Sequence, residues 1–154
     1  MANWAEVNWE KLNQPRREEI NGVEVTVYFS PYDMPEAVKG EYNDAKDRFV
    51  ILFQYLGGEE PVEYVEEDKH IRLGIGKETK RLHEVLVDVE GLRATSVMVK
   101  VQSDLVESEV KDAITKFAKT SRGAVARKNN YEAAWEALEQ QRDHVYSALA
   151  GACG

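Results

Sequence analysis

The chain is expected to fold as an α+β domain, an antiparallel β-meander with two C-terminal helices packed on one face of the sheet. Three observations lead there. Between Val23 and Gln102 the sequence breaks into short apolar segments of strand length, separated by Gly, Asn, Asp and Pro. The connections are too short for crossover helices, so consecutive segments should pair antiparallel. From Asp104 to Ala150 the apolar residues recur at helical spacing instead.

The first 21 residues read as an irregular arm with one helical turn at "NWEKLNQ", started by Asn8 and stopped before Pro15. Trp4 and Trp9 should tie this arm to the body, since indoles are costly to leave wet. "VEVTVYF" (23–29) alternates apolar and polar residues, as a half-buried strand does. Ser30–Pro35 is loop, "EAVKGEY" a weaker strand and "NDAKD" a hairpin turn. "RFVILFQYL" (48–56) ends at Gly57-Gly58. "VEYV", "HIRLGIG", "LHEVLVDV" and "TSVMVKVQ" complete a sheet of about six or seven strands, one that could curve strongly or approach a barrel.

In the last third, Asp104 with Glu107 forms a capping-box signal. Val106, Val110, Ala113, Ile114 and Phe117 make the core stripe of the first helix. A second helix is expected from near Asn130, with the stripe Tyr131, Ala134, Trp135, Leu138, Val145 and Leu149 and a stop at Gly151. With no linker or repeat, residues 1–154 form one domain: arm 1–21, sheet 23–102, helices 104–150.

Gly76-Lys77, with Thr79 close behind, superficially resembles a phosphate loop. The Walker pattern needs an earlier Gly where Ile71 stands, a Ser or Thr where Glu78 stands, and a following helix where a strand is expected. Strand pairing accounts for the stretch better. With Lys77–Arg81 as a five-residue loop, Ile71 faces Val87, Leu73 faces Val85 and Ile75 faces His83. The other face then sets His70 against Asp88, Arg72 against Leu86 and Gly74 against Glu84. One face is apolar and the other charged, and His83 points coreward as a buried, hydrogen-bonded histidine.

The lone cysteine, Cys153, allows no intramolecular disulfide and no multi-cysteine zinc site. It fits a reducing compartment. No segment has signal-peptide character or approaches the roughly 20 apolar residues of a membrane span, so a cytoplasmic location is expected. A net charge of −8 disfavours nucleic acid as a partner. The three histidines are not spaced as a metal pair, and no metal or cofactor is expected. His70 with Asp88 reads as a surface pair and His144 as an exposed or interface residue. No nucleophile motif is present, so catalytic residues are not assigned.

Charge is unevenly distributed. Glu59, Glu60, Glu63, Glu66, Glu67 and Asp68 form a run without a base, and Lys116–Asn130, including Arg122, Arg127 and Lys128, holds five bases without an acid. Both are candidate partner-docking stretches. The acidic one equally reads as a solvated hairpin whose charges protect a strand edge. The segment Arg48–Leu56 is the most informative. Phe49, Ile51, Phe53 and Tyr55 line one flank and Val50, Leu52 and Leu56 the other, so it should be central and covered on both faces. Two helices cover one face. A curled sheet, the N-terminal arm or a second subunit must cover the other.

The functional expectation is a non-enzymatic binding or accessory protein acting through a homodimer or partner surface. One alternative is a binder of small apolar ligands in a sheet–helix cleft lined by Phe49, Phe53, Tyr55 and Trp135. The other is an enzyme without a readable motif.

Overall fold

The computed structural model describes residues 4–12, 15–27, 34–43, 45–67, 69–95, 103–120 and 125–149. Its strands are β1 (Ala5–Glu6), β2 (Arg16–Ile20), β3 (Val23–Val27), β4 (Ala37–Asn43), β5 (Arg48–Gln54), β6 (Val62–Glu66), β7 (Ile71–Gly76) and β8 (Leu82–Asp88). Its helices are α1 (Trp9–Leu12), α2 (Val89–Thr95), α3 (Ser103–Thr120), α4 (Val125–Gln140) and α5 (Arg142–Tyr146), ending in a 3₁₀ turn at Ser147–Leu149.

Six strands form one antiparallel sheet in the order β1-β4-β5-β8-β7-β6, not closed into a barrel. The order corrects a simple meander at one point. After the β4–β5 hairpin the chain crosses to the far edge and returns through β6, β7 and β8, so that β8 rather than β6 lies beside β5. The two most apolar strands thereby become neighbours in the middle, with Phe49 facing Val87 and Ile51 facing Val85.

The β7–β8 register follows the expected pairing of Ile71 with Val87, Arg72 with Leu86, Leu73 with Val85 and Gly74 with Glu84. A bulge between Gly74 and Ile75 then places Ile75 opposite Leu82 instead of His83. The bulge also tightens the turn: Gly76 N–H donates to Arg81 O at 2.8 Å, so four residues, Lys77–Lys80, lie between the bonded pair instead of the expected five-residue loop.

The N-terminal arm is more ordered than expected. Arg16–Ile20 and Val23–Val27 form a separate hairpin turned by Asn21 (φ 54°) and Gly22 (φ 81°), a left-handed pair typical of two-residue turns. Its alternating pattern does not mark burial, for Val23 is 60% exposed and among the described residues no strand of the main sheet pairs with the hairpin. Tyr28 and Phe29 lie outside the described residues. Neither indole is buried: Trp4 is 39% and Trp9 50% exposed, and Trp4 meets the body through Lys39 of β4. Ala5 and Val7 are buried instead, β1 pairs with β4, and Gln140 and Gln141 hydrogen-bond the backbone of Asn8 and Glu6.

One face of the sheet, carrying Val38, Phe49, Ile51, Phe53, Ile71, Leu73, Val85 and Val87, packs into a core with Val106, Val110, Ala113 and Ile114 of α3. Tyr131, Ala134, Ala137 and Leu138 of α4, with Val145 and Leu149, complete it. The helical stripes are as expected but the helix ends are not. Asp104 lies inside α3, which already includes Ser103, and Glu107 bonds Arg142 rather than capping. The second helix starts at Val125 and breaks at Gln141 before α5. Val89 opens α2 instead of ending a strand, and Thr95 belongs to that helix. The rest of the "TSVMVKVQ" strand and the Gly151 stop lie outside the described residues.

Candidate functional site: the open face of the sheet

β5 is central; among the described residues its inner side is fully covered and its outer side only in part. Three rows across the sheet carry its outward residues Arg48, Val50 and Leu52. The middle row runs Glu41, Val50, Leu86, Arg72, Glu66, and the next runs Lys39, Leu52, Glu84, Gly74, Tyr64. The third begins Asn43, Arg48, Asp88, with His70 beside Asp88 through the bond from Asp88 N–H to His70 O. Val50, Leu52 and Leu86 are half-buried, whereas Glu41, Gln54, Tyr64, Glu66, Arg72 and Asp88 are exposed. Second-side coverage of the strand is therefore partial. At one margin Lys39 Nζ sits 4.6 Å above the Trp4 ring. At the other, Tyr64 donates its hydroxyl to Glu84 at 2.8 Å, and that bond raises its pKa.

Where the β4–β5 loop, the β6–β7 loop and the start of α2 converge, this face sinks into a cavity of about 410 Å³ lined by Lys46, Arg48, Glu66, Lys69, His70, Arg72, Leu86, Asp88 and Glu90. Arg48 and Arg72 rise from strands on either side of β8, with Leu86 and Asp88 on the strand between them. Asp88 Oδ1 accepts the Gly91 N–H at 3.0 Å and so caps α2. His70 and Asp88 crowd the space where a Cβ on Gly91 would stand, so a larger residue would push one of these side chains aside. Lys46, Arg48, Lys69 and Arg72 form no ion pair among the described residues. Such a set can bind an anion.

The acidic run divides in two. Glu59 and Glu63 are exposed, Glu66 borders the cavity, Glu67 is half-buried, and Asp68 is outside the described residues. Glu60 turns inward, its side chain only 7% exposed, and is thereby withdrawn from any docking role. Its Oε1 accepts the Glu78 and Thr79 N–H groups, each at 2.9 Å. Its Oε2 accepts the Thr79 hydroxyl and, at 2.9 Å, His83 Nε2–H. Burial opposes the charge, yet the four bonds more than offset it and hold the pKa at about 2. With both oxygens fully engaged, Glu60 is a clamp on the β7–β8 turn rather than a base. His83 is buried and hydrogen-bonded as expected, and its ring meets Tyr55 edge-on at 5.3 Å. A sequence-distant carboxylate leaves no spacing signal, so Glu60 was not recognisable as its partner.

Phe49, Phe53 and Tyr55 are packed inside the core, with the Tyr55 hydroxyl donating to Leu82 O at 2.8 Å. Trp135 lies apart from them. It borders a shallow cavity of about 210 Å³ between α3 and α4, with Ile114, Thr115, Ala118, Lys119, Tyr131 and Glu132. Lys111 Nζ stands 5.0 Å from its ring. The four aromatics therefore do not converge on one cleft. Arg122 is outside the described residues, Arg127 and Lys128 fall in α4, and His144 is exposed on α5.

Arg142 donates to Glu107 and ties α5 to α3. That bond lowers the Glu107 pKa, while burial and the Glu107 charge raise that of Glu139. Among the described residues no three His, Cys, Asp or Glu side chains converge as metal ligands, and no helix is long and apolar enough to cross a membrane. No family model, curated protein or solved structure matches the chain.

Proposed function

We propose that this protein works by binding, through the open face of its sheet. The observation that supports the reading is the half-exposed row of Val50, Leu52 and Leu86 on the two central strands. On the solvated face of an antiparallel sheet such positions are usually polar, and each apolar side chain left partly wet forgoes part of the roughly 1.5–3 kcal/mol that full burial supplies. An apolar strip edged by Lys39, Glu41, Glu84 and Arg72 has the make-up of a contact surface, with an apolar centre and a polar rim.

The test is a fragment and metabolite library screened by amide chemical shifts, with light scattering run across a wide concentration range. Hits should move the amides of β5 and β8 around Val50, Leu52 and Leu86, and Leu52→Lys or Leu86→Lys should abolish them while the fold persists. A reversible dimer dispersed by Leu86→Lys would identify the occupant as a second copy of the chain. Hits confined to the groove beside Trp135, with neither dimer nor response on the open face, would overturn the proposal.

A further inference from the structure

We infer that the cavity at the loop end of the open face binds a small phosphomonoester whose body is neutral or carries an amine. The inference deepens the open-face reading, on which it rests. Its starting point is the charge balance. The chain carries −8, yet four cations, Lys46, Arg48, Lys69 and Arg72, surround one cavity of about 410 Å³ without an ion pair among the described residues. Arg48 stands directly across from Asp88, and Arg72 across from Glu66, and neither arginine closes onto its neighbour. Asp88 accepts the Gly91 N–H through Oδ1 and caps α2 but keeps its charge, so the four cations face the three carboxylates of Glu66, Asp88 and Glu90.

Two guanidinium groups on rigid strands, flanking the strand that carries Leu86, offer paired N–H donors to one tetrahedral dianion. Lys46 and Lys69 add charge from the bordering loops. The cavity lies within the roughly 300–1,000 Å³ of small-ligand sites, enough for a phosphate and a short body. The three acids, Glu66, Asp88 and Glu90, define that body. They repel a second anionic group but accept hydrogen bonds from an amine or hydroxyl, which excludes bisphosphates and favours a compact ester.

The probes are inorganic phosphate, phosphoethanolamine and phenyl phosphate, with a bisphosphate as the unfavourable case, followed by amide shifts and calorimetry at low salt. Saturable binding should displace the amides of Arg48, His70, Arg72 and Leu86. Arg48→Ala and Arg72→Ala should each weaken it by about tenfold or more, the scale of one lost charge-assisted pair. Arg17→Ala, on the β2–β3 hairpin, should leave binding unchanged, and Glu66→Gln should narrow the preference for phosphoethanolamine over the bisphosphate. Thermal melts establish that each variant folds. No saturable shift with any phosphate probe, or unchanged binding in both arginine variants, would overturn the inference. Library hits persisting on Val50, Leu52 and Leu86 would then leave the open-face reading standing.

Discussion

Two single residues set limits on the packing. Gly40 sits on the inner face of β4, where a Cβ would run into the carbonyl oxygen of Val145. A backbone atom cannot rotate aside, so Gly40→Ala should destabilise the fold by about 1–3 kcal/mol, the usual cost of overpacking, in urea unfolding. Glu60 is the second. Its four hydrogen bonds join the β5–β6 connection to the β7–β8 turn, and Glu60→Gln should cost about 2 kcal/mol at neutral pH. The sign of the pH dependence follows from a folded pKa of about 2 against an ordinary 4.5. A depressed carboxyl stabilises fully above its unfolded value, and the contribution disappears as pH falls from 4.5 towards 2. Unfolding midpoints of wild type and Glu60→Gln should therefore converge across that window, and a constant gap would show that the charge is not what stabilises the turn.

At the scale of the element, β5 shows that an apolar sequence on both flanks does not imply equal burial. Phe49, Ile51 and Phe53 are in the core, while Val50 and Leu52 remain half-covered beneath charged neighbours. Ile51→Ala should cost about 2–5 kcal/mol, as in a closed core, and Leu52→Ala less than half as much. Equal losses would mean that something covers both faces in solution. The helices divide similarly: α3 and α4 are held by their apolar stripes, whereas α5 adds the Arg142–Glu107 pair, a surface contact of modest value.

At the scale of the whole molecule, stability should grade from the sheet centre outward. β5 and β8 are paired on both sides and backed by helices, while among the described residues β2 and β3 pair only with each other. Two-stranded hairpins alone are marginal in water. Hydrogen exchange should therefore be slowest in β5 and β8 and far faster in the β2–β3 hairpin, by a measure that follows local opening. Matching rates would show that the hairpin is docked to the body.

The sequence by itself determined what local chemistry can express. Period-two and helical apolar spacing marked the sheet strands and the stripes of α3 and α4, and the amphipathic pairing of His70–Gly74 with Glu84–Asp88 set the register of that hairpin. Asn21-Gly22 was an equally local hairpin signal, masked by the charges around it. Only the tertiary structure decided that β8 lies beside β5, that Glu60 turns inward to His83, and that four cations from two loops and two strands meet around one cavity. None of these has a period or a spacing. They come from chain segments distant in sequence, brought together when burying one face of the sheet against the helices dictates which strands become neighbours.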